Sequence, residues 1–222
     1  MVISGPISPN GTVMPASKAT APKRRTQIER RAQAEQKLLI AAREIVARKG
    51  WIGMRLNDVG DAAGYSRGLA AHHFGSKSGL LRALATHINA NFMQDVQRAP
   101  PVQEGLPSLL QFIHTYFSRT DQTWTNTRAL LLLMVEASTE DSDTGDILSA
   151  YNAEVLSYLE RHIEAGKLAG NIRADVSASS YAALIMGSLR GVMLQKLLQH
   201  SNIDLHNVRD DLIDMVTRAM TP

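Results

Sequence analysis

The side chains best suited to chemistry are concentrated in one short polar and basic stretch near the front of the chain. Arginine can donate two parallel hydrogen bonds to a guanine edge, while serine, histidine and lysine can donate to phosphate oxygens. The two adjacent histidines form a poor metal chelate, because neighbouring residues on a helix point about 100° apart. The residue types therefore favour contact with a polyanion, and the residues that could make it are Ser66, Arg67, His72, His73, Ser76 and Lys77.

Two short helices must position these side chains. The first is indicated by apolar residues at helical spacing, namely Leu56, Val59, Gly60 and Ala63. Gly64 follows, where a chain leaving a helix can turn through positive φ. Ser66 is placed to cap a second helix over about residues 67–72, and Gly75 ends that helix. Ser76 can cap a third helix. Two short helices joined by a glycine-containing turn are typical of a helix-turn-helix, whose second helix can enter a DNA major groove.

At these residues the sequence resembles a known family. Ala63–Gly68 reads AGYSRG and His72–Lys77 reads HHFGSK, and this ordered pair resembles the end of the TetR-type DNA-binding domain. An upstream helix ending in Lys49-Gly50-Trp51 completes the pattern, which covers roughly residues 33–92. The resemblance implies an all-α fold, with an N-terminal three-helix helix-turn-helix domain followed by a larger helical domain that binds an effector and dimerises.

The sequence departs from the usual family pattern at several positions. Met54 and Arg55 stand where a threonine cap is usual, and Gly60 stands where alanine is usual. On the second helix, the residues that replace the more frequent threonine, leucine or valine, tyrosine and tyrosine are Leu69, Ala70, Ala71 and His73. The resemblance therefore implies the scaffold rather than particular base contacts.

The expected DNA contacts follow from the side chains themselves. Arg67 can reach a guanine edge or a phosphate, and the small Ala70 and Ala71 would let the helix sit deep or touch a thymine methyl group. Free N–H groups at the start of the next helix favour a phosphate beside Ser76 and Lys77. The resemblance implies that one of the two histidines contacts a phosphate. The expected DNA-contacting residues are Arg55, Asn57, Ser66, Arg67, Gly68, Ala70, Ala71, His72, His73, Ser76 and Lys77.

Composition and charge limit the classes of protein to which this chain can belong. The 222 residues are 44% hydrophobic and 20% charged, a globular balance, and the absence of cysteine excludes disulfides and thiolate zinc sites. Residues 1–100 hold 15 basic and 6 acidic residues (+9), whereas residues 101–222 hold 9 and 15 (−6). A basic front suits phosphate contact, while an acidic rear would be repelled by DNA. No apolar run is long enough for a membrane span and no signal-peptide core is evident, so we expect a cytoplasmic protein without membrane contact.

The chain divides into three parts. Met1–Ala21 is rich in Gly, Pro, Ser, Thr and Ala, which predicts disorder, and the whole of residues 1–32 is expected to be a basic tail. Its basic clusters, Lys23-Arg24-Arg25 and Arg30-Arg31, are either a solvated tail or a contact to phosphate or the minor groove. The DNA-binding domain is expected over 33–95 and, after Pro100-Pro101, a helical effector-binding and dimerisation domain over 101–222.

The second domain shows helical periodicity throughout, without a competing strand pattern. Aromatic and methionine residues at helical spacing are commonly core, but they can also line a ligand cavity. The residues expected to line it are Phe112, Tyr116, Trp124, Arg128, Met134 and Tyr151. The acidic run 141–146 is not a calcium-binding EF-hand, because its glycine falls at position five and position twelve is Asn152. We expect no metal and no cofactor.

A long penultimate helix, over about Ser177 to His200, has two apolar faces. One contains glycines, each of which costs about 1 kcal/mol relative to alanine inside a helix, so close approach of another helix should compensate. That helix could belong to the same subunit or, as the resemblance implies, to a second copy. The expected dimer-interface residues are Tyr158, Leu184, Gly187, Ser188, Gly191, Leu194 and Leu198.

The function expected from these patterns is ligand-responsive transcriptional regulation. A homodimeric repressor would bind a near-palindromic double-stranded operator and be released by a small-molecule effector. One alternative is a constitutive or architectural DNA-binding dimer without an effector. The other is an all-α enzyme with an incidental basic face, but the chain has no phosphate-binding glycine loop, nucleophile elbow or His-Glu-x-x-His motif.

Overall fold

The computed structural model describes residues 26–118, 123–139, 142, 144–198 and 202–222. Within these ranges the regular structure is entirely helical, which confirms the predicted fold class. The helices are α1 (Gln27–Lys49), α2 (Leu56–Ala62), α3 (Leu69–Phe74), α4 (Lys77–Arg98), α5 (Leu106–Phe117), α6 (Thr125–Ala137), α7 (Gly145–Leu168), α8 (Ala178–Leu197) and α9 (Leu205–Met220). The predicted disordered segment Met1–Ala21 and the cluster Lys23-Arg24-Arg25 lie outside the described residues.

Helix α1 begins earlier than the sequence boundary at residue 33 predicted. The Thr26 hydroxyl accepts a hydrogen bond from the Glu29 backbone N–H at 3.2 Å, and the Glu29 carboxylate accepts one from the Thr26 N–H at 2.7 Å. This reciprocal capping box fixes the start of the helix. The basic pair Arg30 and Arg31 therefore lies on the exposed side of an ordered helix rather than in a tail.

The first four helices form the reading domain. Helix α1 packs on α2 and α4, α2 packs on α3, and α3 packs on α4. Their shared core contains Leu38, Val59 and Leu81, which are fully buried. Burial of these side chains holds the two short helices in place, since neither is long enough to be stable alone.

The second domain contains α5 to α9, arranged around α7. Helix α7 packs extensively on α8 and also on α5 and α6, while α9 packs on α5. Leu133 of α6 is fully buried with Phe112 and Leu159. Val135, on the same helix, is exposed, so α6 is buried on one side only. None of the described helices meets the length and apolarity required to cross a lipid bilayer.

The two domains share helices and polar bridges. Helix α4 begins in the reading domain and packs along α5, α6 and α7, while α1 packs on α6. The Arg82 guanidinium donates to both carboxylate oxygens of Asp146 at 2.6 and 2.8 Å. Arg43 donates from Nη1 to the amide oxygen of Asn126 at 3.2 Å. These contacts connect α6 and α7 directly to the first four helices.

Candidate functional site

The turns around the helix-turn-helix follow the sequence prediction. Gly64 has φ 77° and Gly75 has φ 73°, conformations that favour glycine. The Gly60 carbonyl accepts a hydrogen bond from the Tyr65 N–H at 2.9 Å and closes the turn after α2. The Ser76 hydroxyl accepts from the Gly79 N–H at 3.0 Å, which confirms the predicted cap of α4.

The start of α3 differs from the prediction. The helix runs from Leu69 to Phe74 with Gly68 at its N-cap, and no side chain caps it. Ser66 does not act as the cap, because its carbonyl accepts from the Leu69 N–H at 3.0 Å in a tight turn. The exposed hydroxyl of Ser66 and the exposed backbone at Gly68 both remain available at the surface.

The absence of a side chain at Gly60 allows the start of α3 to lie close to α2. A Cβ atom at this position would lie 2.6 Å from the Ser66 carbonyl oxygen and 3.2 Å from the Arg67 Cα. Backbone atoms cannot give way as a flexible side chain can. The glycine that replaces the family's usual alanine therefore lets the start of α3 approach α2 directly, a role that the sequence did not indicate.

Most of the predicted DNA-contacting side chains lie at the surface, with one exception. Arg67 and His72 are exposed, His73 and Ala71 are half-buried, and Arg55 and Asn57 are exposed at the start of α2. Ala70 is 0% exposed and packs in the core of the reading domain, so its predicted contact with DNA is wrong. The predicted helix start was two residues early, and Ala70 is buried on a helix that packs against α2 and α4.

A groove runs between α1 and α3 on the same side of the domain. Its volume is about 470 Å³, and it is lined by Gln27, Arg30, Arg31, Ala34, Leu69, His72 and His73. The two histidine rings meet edge to face with centroids 6.3 Å apart, so they do not converge on a common ligand. Basic side chains of α1 thus lie beside the exposed side of α3, as phosphate contacts would require.

Lys77 is already engaged at the start of α4. Its Nζ atom donates to the Ile52 carbonyl oxygen at 3.0 Å and lies 5.4 Å from the centre of the Trp51 ring. These contacts tie the turn between α1 and α2 to α4. A phosphate would have to share or displace them, so Lys77 has a structural role that its position in the motif did not reveal.

The six predicted ligand-lining residues do not form one cluster. Phe112, Tyr116 and Tyr151 are buried in the core of the second domain, and the Phe92 ring packs edge-on against both Phe112 (5.4 Å) and Tyr116 (5.7 Å). The half-buried Trp124 and Met134 lie on α6 and its N-cap. Arg128 is exposed and lines an outer groove beside α1 and α8, and its predicted role in ligand binding stays a prediction.

A polar cluster beside these aromatics was missed by sequence reasoning. Arg190 of α8 donates from Nη1 to the Asn152 amide oxygen at 2.6 Å, while its buried Nη2 has no hydrogen-bond partner. Burial lowers the pKa of Arg190, and the nearby Tyr116 and Tyr151 oppose that shift. Asn89 of α4 is buried with an unpartnered Oδ1. The sequence around a single arginine in a helix does not indicate that its side chain is buried beside tyrosine and asparagine side chains.

The glycine-containing side of α8 is open. Leu184, Leu194 and Leu198 are 62%, 52% and 55% exposed, and a Cβ atom on Gly187 or Gly191 would meet nothing within 4 Å. Packing inside the subunit therefore does not cover this side. Tyr158 is half-buried on α7 with its ring 5.6 Å from Phe112, and its predicted place at this interface stays a prediction.

Metal coordination finds no support within the described part of the chain, which contains no group of three or more metal-ligating side chains. In the acidic loop, Asp141 and Asp143 lie outside the described residues. The neighbouring Thr144 is fully buried and donates its hydroxyl hydrogen bond to the buried carboxylate of Glu136. That contact gives the buried charge a partner within the fold.

The chain is similar to known proteins in sequence. Residues 38–84 match the model of the bacterial regulatory proteins of the tetR family. The HTH-type transcriptional regulator CymR of Pseudomonas putida is 27% identical over 199 residues, covering 88% of this chain and 95% of the relative. Both are transcriptional regulators rather than enzymes.

Solved structures share the fold over most of the chain. A TetR transcriptional regulator from Chloroflexus aurantiacus superposes with a TM-score of 0.76 at 18% identity, covering 87% of this chain and 98% of that one. A protein from Saccharomonospora viridis assigned as a transcriptional regulator, in complex with choline, has a TM-score of 0.75 at 19% identity, covering 86% and 99%. Residues 38–84 thus match the tetR family, and the relative aligned along most of its length and the common fold make the whole chain similar to TetR-type transcriptional regulators.

Proposed function

We propose that this regulator is a homodimeric repressor that binds a near-palindromic operator and is released by a small-molecule effector. The observation that carries the proposal is the open side of α8, where exposed leucines flank two uncovered glycines. Apolar side chains around a glycine surface favour close packing of another helix, and a second copy supplies an identical one by two-fold symmetry.

In this proposal, the exposed side of α3 contacts the DNA. Arg67 and His72 project from the α3 region, and Arg30 and Arg31 of α1 lie beside them. Two such surfaces in a dimer would enter successive major grooves about 34–36 Å apart on one face of the duplex. A regulator that binds operator DNA would act in the cytoplasm.

Release of the protein from DNA by an effector depends on the contacts that connect the two domains. Helix α4 belongs to both domains, and Arg82 ties it to Asp146 at the start of α7. An effector bound against α4 and α7 that prefers one arrangement of these helices would change the separation of the reading domains. A coupling of about 1–3 kcal/mol would change operator affinity about 5- to 150-fold.

The experiment has two measurements on the full chain. Genomic fragments retained by the purified protein are sequenced, and a duplex built on the shared sequence is titrated in gel shifts while light scattering gives the mass of the free protein. We expect a dimer in solution and an inverted-repeat operator. A monomer that binds without symmetry would contradict the proposal, and operator affinity unaffected by any compound in a metabolite screen would leave a constitutive DNA-binding dimer instead.

A further inference from the structure

The two histidines of α3 share a groove with basic side chains from another helix. His72 and His73 lie on the α3 side of the groove between α1 and α3, and Arg30 and Arg31 lie on its α1 side. His72 is exposed and His73 is half-buried, so both imidazoles are accessible from solvent. The TetR family more often has tyrosine where this chain has His73, so the second imidazole is a feature of this chain.

The groove combines permanently charged and titratable groups without a carboxylate among its described lining residues. Helices α2 and α4 also pack on α3. The charged side chains of α2 and of the first turns of α4 are Asp58, Asp61, Lys77 and Arg82. None of these four lines the groove, and the last three are engaged by other partners. On α1, Glu29 accepts a hydrogen bond from the Thr26 N–H at 2.7 Å and also lies outside the lining.

A phosphate oxygen in this groove distinguishes the two protonation states of histidine. A neutral imidazole donates one N–H, whereas an imidazolium donates from both ring nitrogens and adds a positive charge. Hydrogen bonds to ionised groups are roughly twice as strong as those between neutral groups. The edge-to-face rings, with centroids 6.3 Å apart, suit different phosphates, which a DNA strand supplies in succession. DNA that reaches the groove therefore favours the protonated histidines, and by linkage the complex takes up protons.

We propose that His72 and His73 couple DNA binding to proton uptake, so that the protein binds its operator more tightly as the pH falls to about 6. Arg30 and Arg31 provide a charge that is constant over this range, because arginine keeps its proton. Each imidazole adds a positive charge only after protonation. The inference rests on the DNA-binding part of the proposed function and specifies a regulation of the same surface.

The test measures the DNA affinity of the full-length protein against pH. Anisotropy titrations at constant ionic strength cover about pH 8 to pH 6, where histidine gains its proton. They use the inverted-repeat operator duplex and a duplex of unrelated sequence. The affinity should rise by about threefold or more, since each proton taken up contributes up to about tenfold per pH unit. Both duplexes should respond, because phosphate contacts do not depend on sequence.

Calorimetric titrations count the protons directly. The heat of DNA binding at about pH 6.5 is measured in two buffers that differ in their heats of ionisation, and the difference gives the number of protons taken up per complex. We expect net uptake with either duplex. An affinity that is constant over the pH range, or a complex that takes up no protons, would overturn the proposal.

Substitutions assign the effect to the two side chains. His72→Gln and His73→Tyr each remove one titratable group, and the second introduces the residue that is usual in the family. Each should bind DNA at about pH 8 as the parent does and should take up fewer protons, while the double variant should lose the rise in affinity. His114→Gln, on the exposed surface of α5, is the control and should keep that rise. A double variant that responds to pH as the parent does would assign the effect to other groups and overturn the proposal.

The duplex of unrelated sequence separates this proposal from the proposed function. If the parent shows the rise and the double variant loses it, but the protein is a monomer without an inverted-repeat operator, the proton coupling stands while the dimeric repressor fails. If a dimer is released from its operator by an effector and its affinity is independent of pH, the repressor function stands while the proton coupling fails.

Discussion

The Nε atom of Arg67 lies 2.9 Å from the Oδ2 atom of Asp61, across the turn that joins α2 to α3. The two side chains are 76% and 49% exposed, so the pair is a surface ion pair of the kind that contributes about 0–1 kcal/mol. Its main effect is to orient the arginine at the edge of the reading surface. DNA phosphates or guanine edges would compete with Asp61 for the same guanidinium.

Arg67→Ala is expected to weaken operator binding without unfolding the protein. Loss of a base contact costs about 1–3 kcal/mol, and loss of a phosphate contact reduces the salt slope by about one. Gel-shift titrations at several salt concentrations measure both, and circular dichroism checks the fold. The control is Arg98→Ala, at the far end of α4 from the reading surface. Unchanged affinity and specificity in Arg67→Ala would remove Arg67 from the interface.

Asp61→Asn should have the opposite effect on DNA. The substitution removes one negative charge beside the phosphates and frees Arg67 from its partner, so non-specific and operator affinity should both rise. The increase should be largest at low salt, because exposed charges are screened within about 10 Å at 0.1 M ionic strength. An affinity that falls in Asp61→Asn would show that the ion pair is needed to orient Arg67.

Gly60→Ala should destabilise the reading domain although alanine is the better helix former. The new Cβ would lie 2.6 Å from the Ser66 carbonyl oxygen, and overpacking of this kind costs about 1–3 kcal/mol. Chemical denaturation measures the free energy of unfolding, and operator affinity should fall with it. Gly68→Ala is the matched control, because a Cβ there meets nothing within 4 Å. Equal stability of the two variants would refute the close approach of α2 and α3.

Leu184→Glu should dissociate the proposed dimer. A charge in the centre of an apolar interface removes a residue that packs there and leaves a carboxylate to be desolvated, a penalty of at least about 2 kcal/mol. Sedimentation equilibrium should show a monomer at concentrations where the parent is dimeric. Leu168→Glu, on α7 at 90% exposure, is the control and should remain dimeric. A dimeric Leu184→Glu would place the interface elsewhere.

The bridge between Arg82 and Asp146 predicts a dependence of stability on pH. Hydrogen bonds from Arg82 hold the pKa of Asp146 below its ordinary value of 3.8. A lowered carboxyl pKa stabilises the fold above the unfolded-state pKa, and this contribution disappears as the pH falls through the folded-state pKa. Asp146→Asn should therefore lower the free energy of unfolding at neutral pH, with the difference from the parent vanishing in acid.

Denaturation curves of the parent and Asp146→Asn at neutral and acidic pH test this. Asp95→Asn, on exposed α4 surface, is the control and should show no such pH-dependent difference. A constant difference between Asp146→Asn and the parent across the pH range would mean that the substitution acts through packing and not through the charge.

Local features of this chain were predictable because they depend on neighbouring residues. Gly64 and Gly75 adopt the positive φ that only glycine tolerates well, and Ser76 caps the helix that it precedes. Helix α8 begins within a residue of its predicted start, because a hydrophobic repeat identifies a helix wherever it packs. The beginnings of α1 and α3 were missed, since a capping box and a tight turn shift a helix start by several residues.

Which side of each helix faces solvent depended on residues distant in the sequence. Ala70 was assigned to DNA and is buried, and Arg128 was assigned to the ligand cavity and lies exposed on an outer groove beside α1 and α8. Arg190 was not singled out, because a single arginine on a helix has the same local pattern whether it meets water, a carboxylate or two tyrosines. Its missing counter-ion is visible only when α4, α5, α7 and α8 are assembled.

By itself, the sequence determined the helical fold class, the helix-turn-helix with its family resemblance and the opposite charges of the two halves. These properties are carried by residue type and short-range spacing, so they need no three-dimensional information. The tertiary structure decided the close approach of Gly60 to Ser66, the uncovered side of α8 and the unpaired charge of Arg190. Each of these depends on distances between segments remote in the chain, which are set by the packing of the whole core.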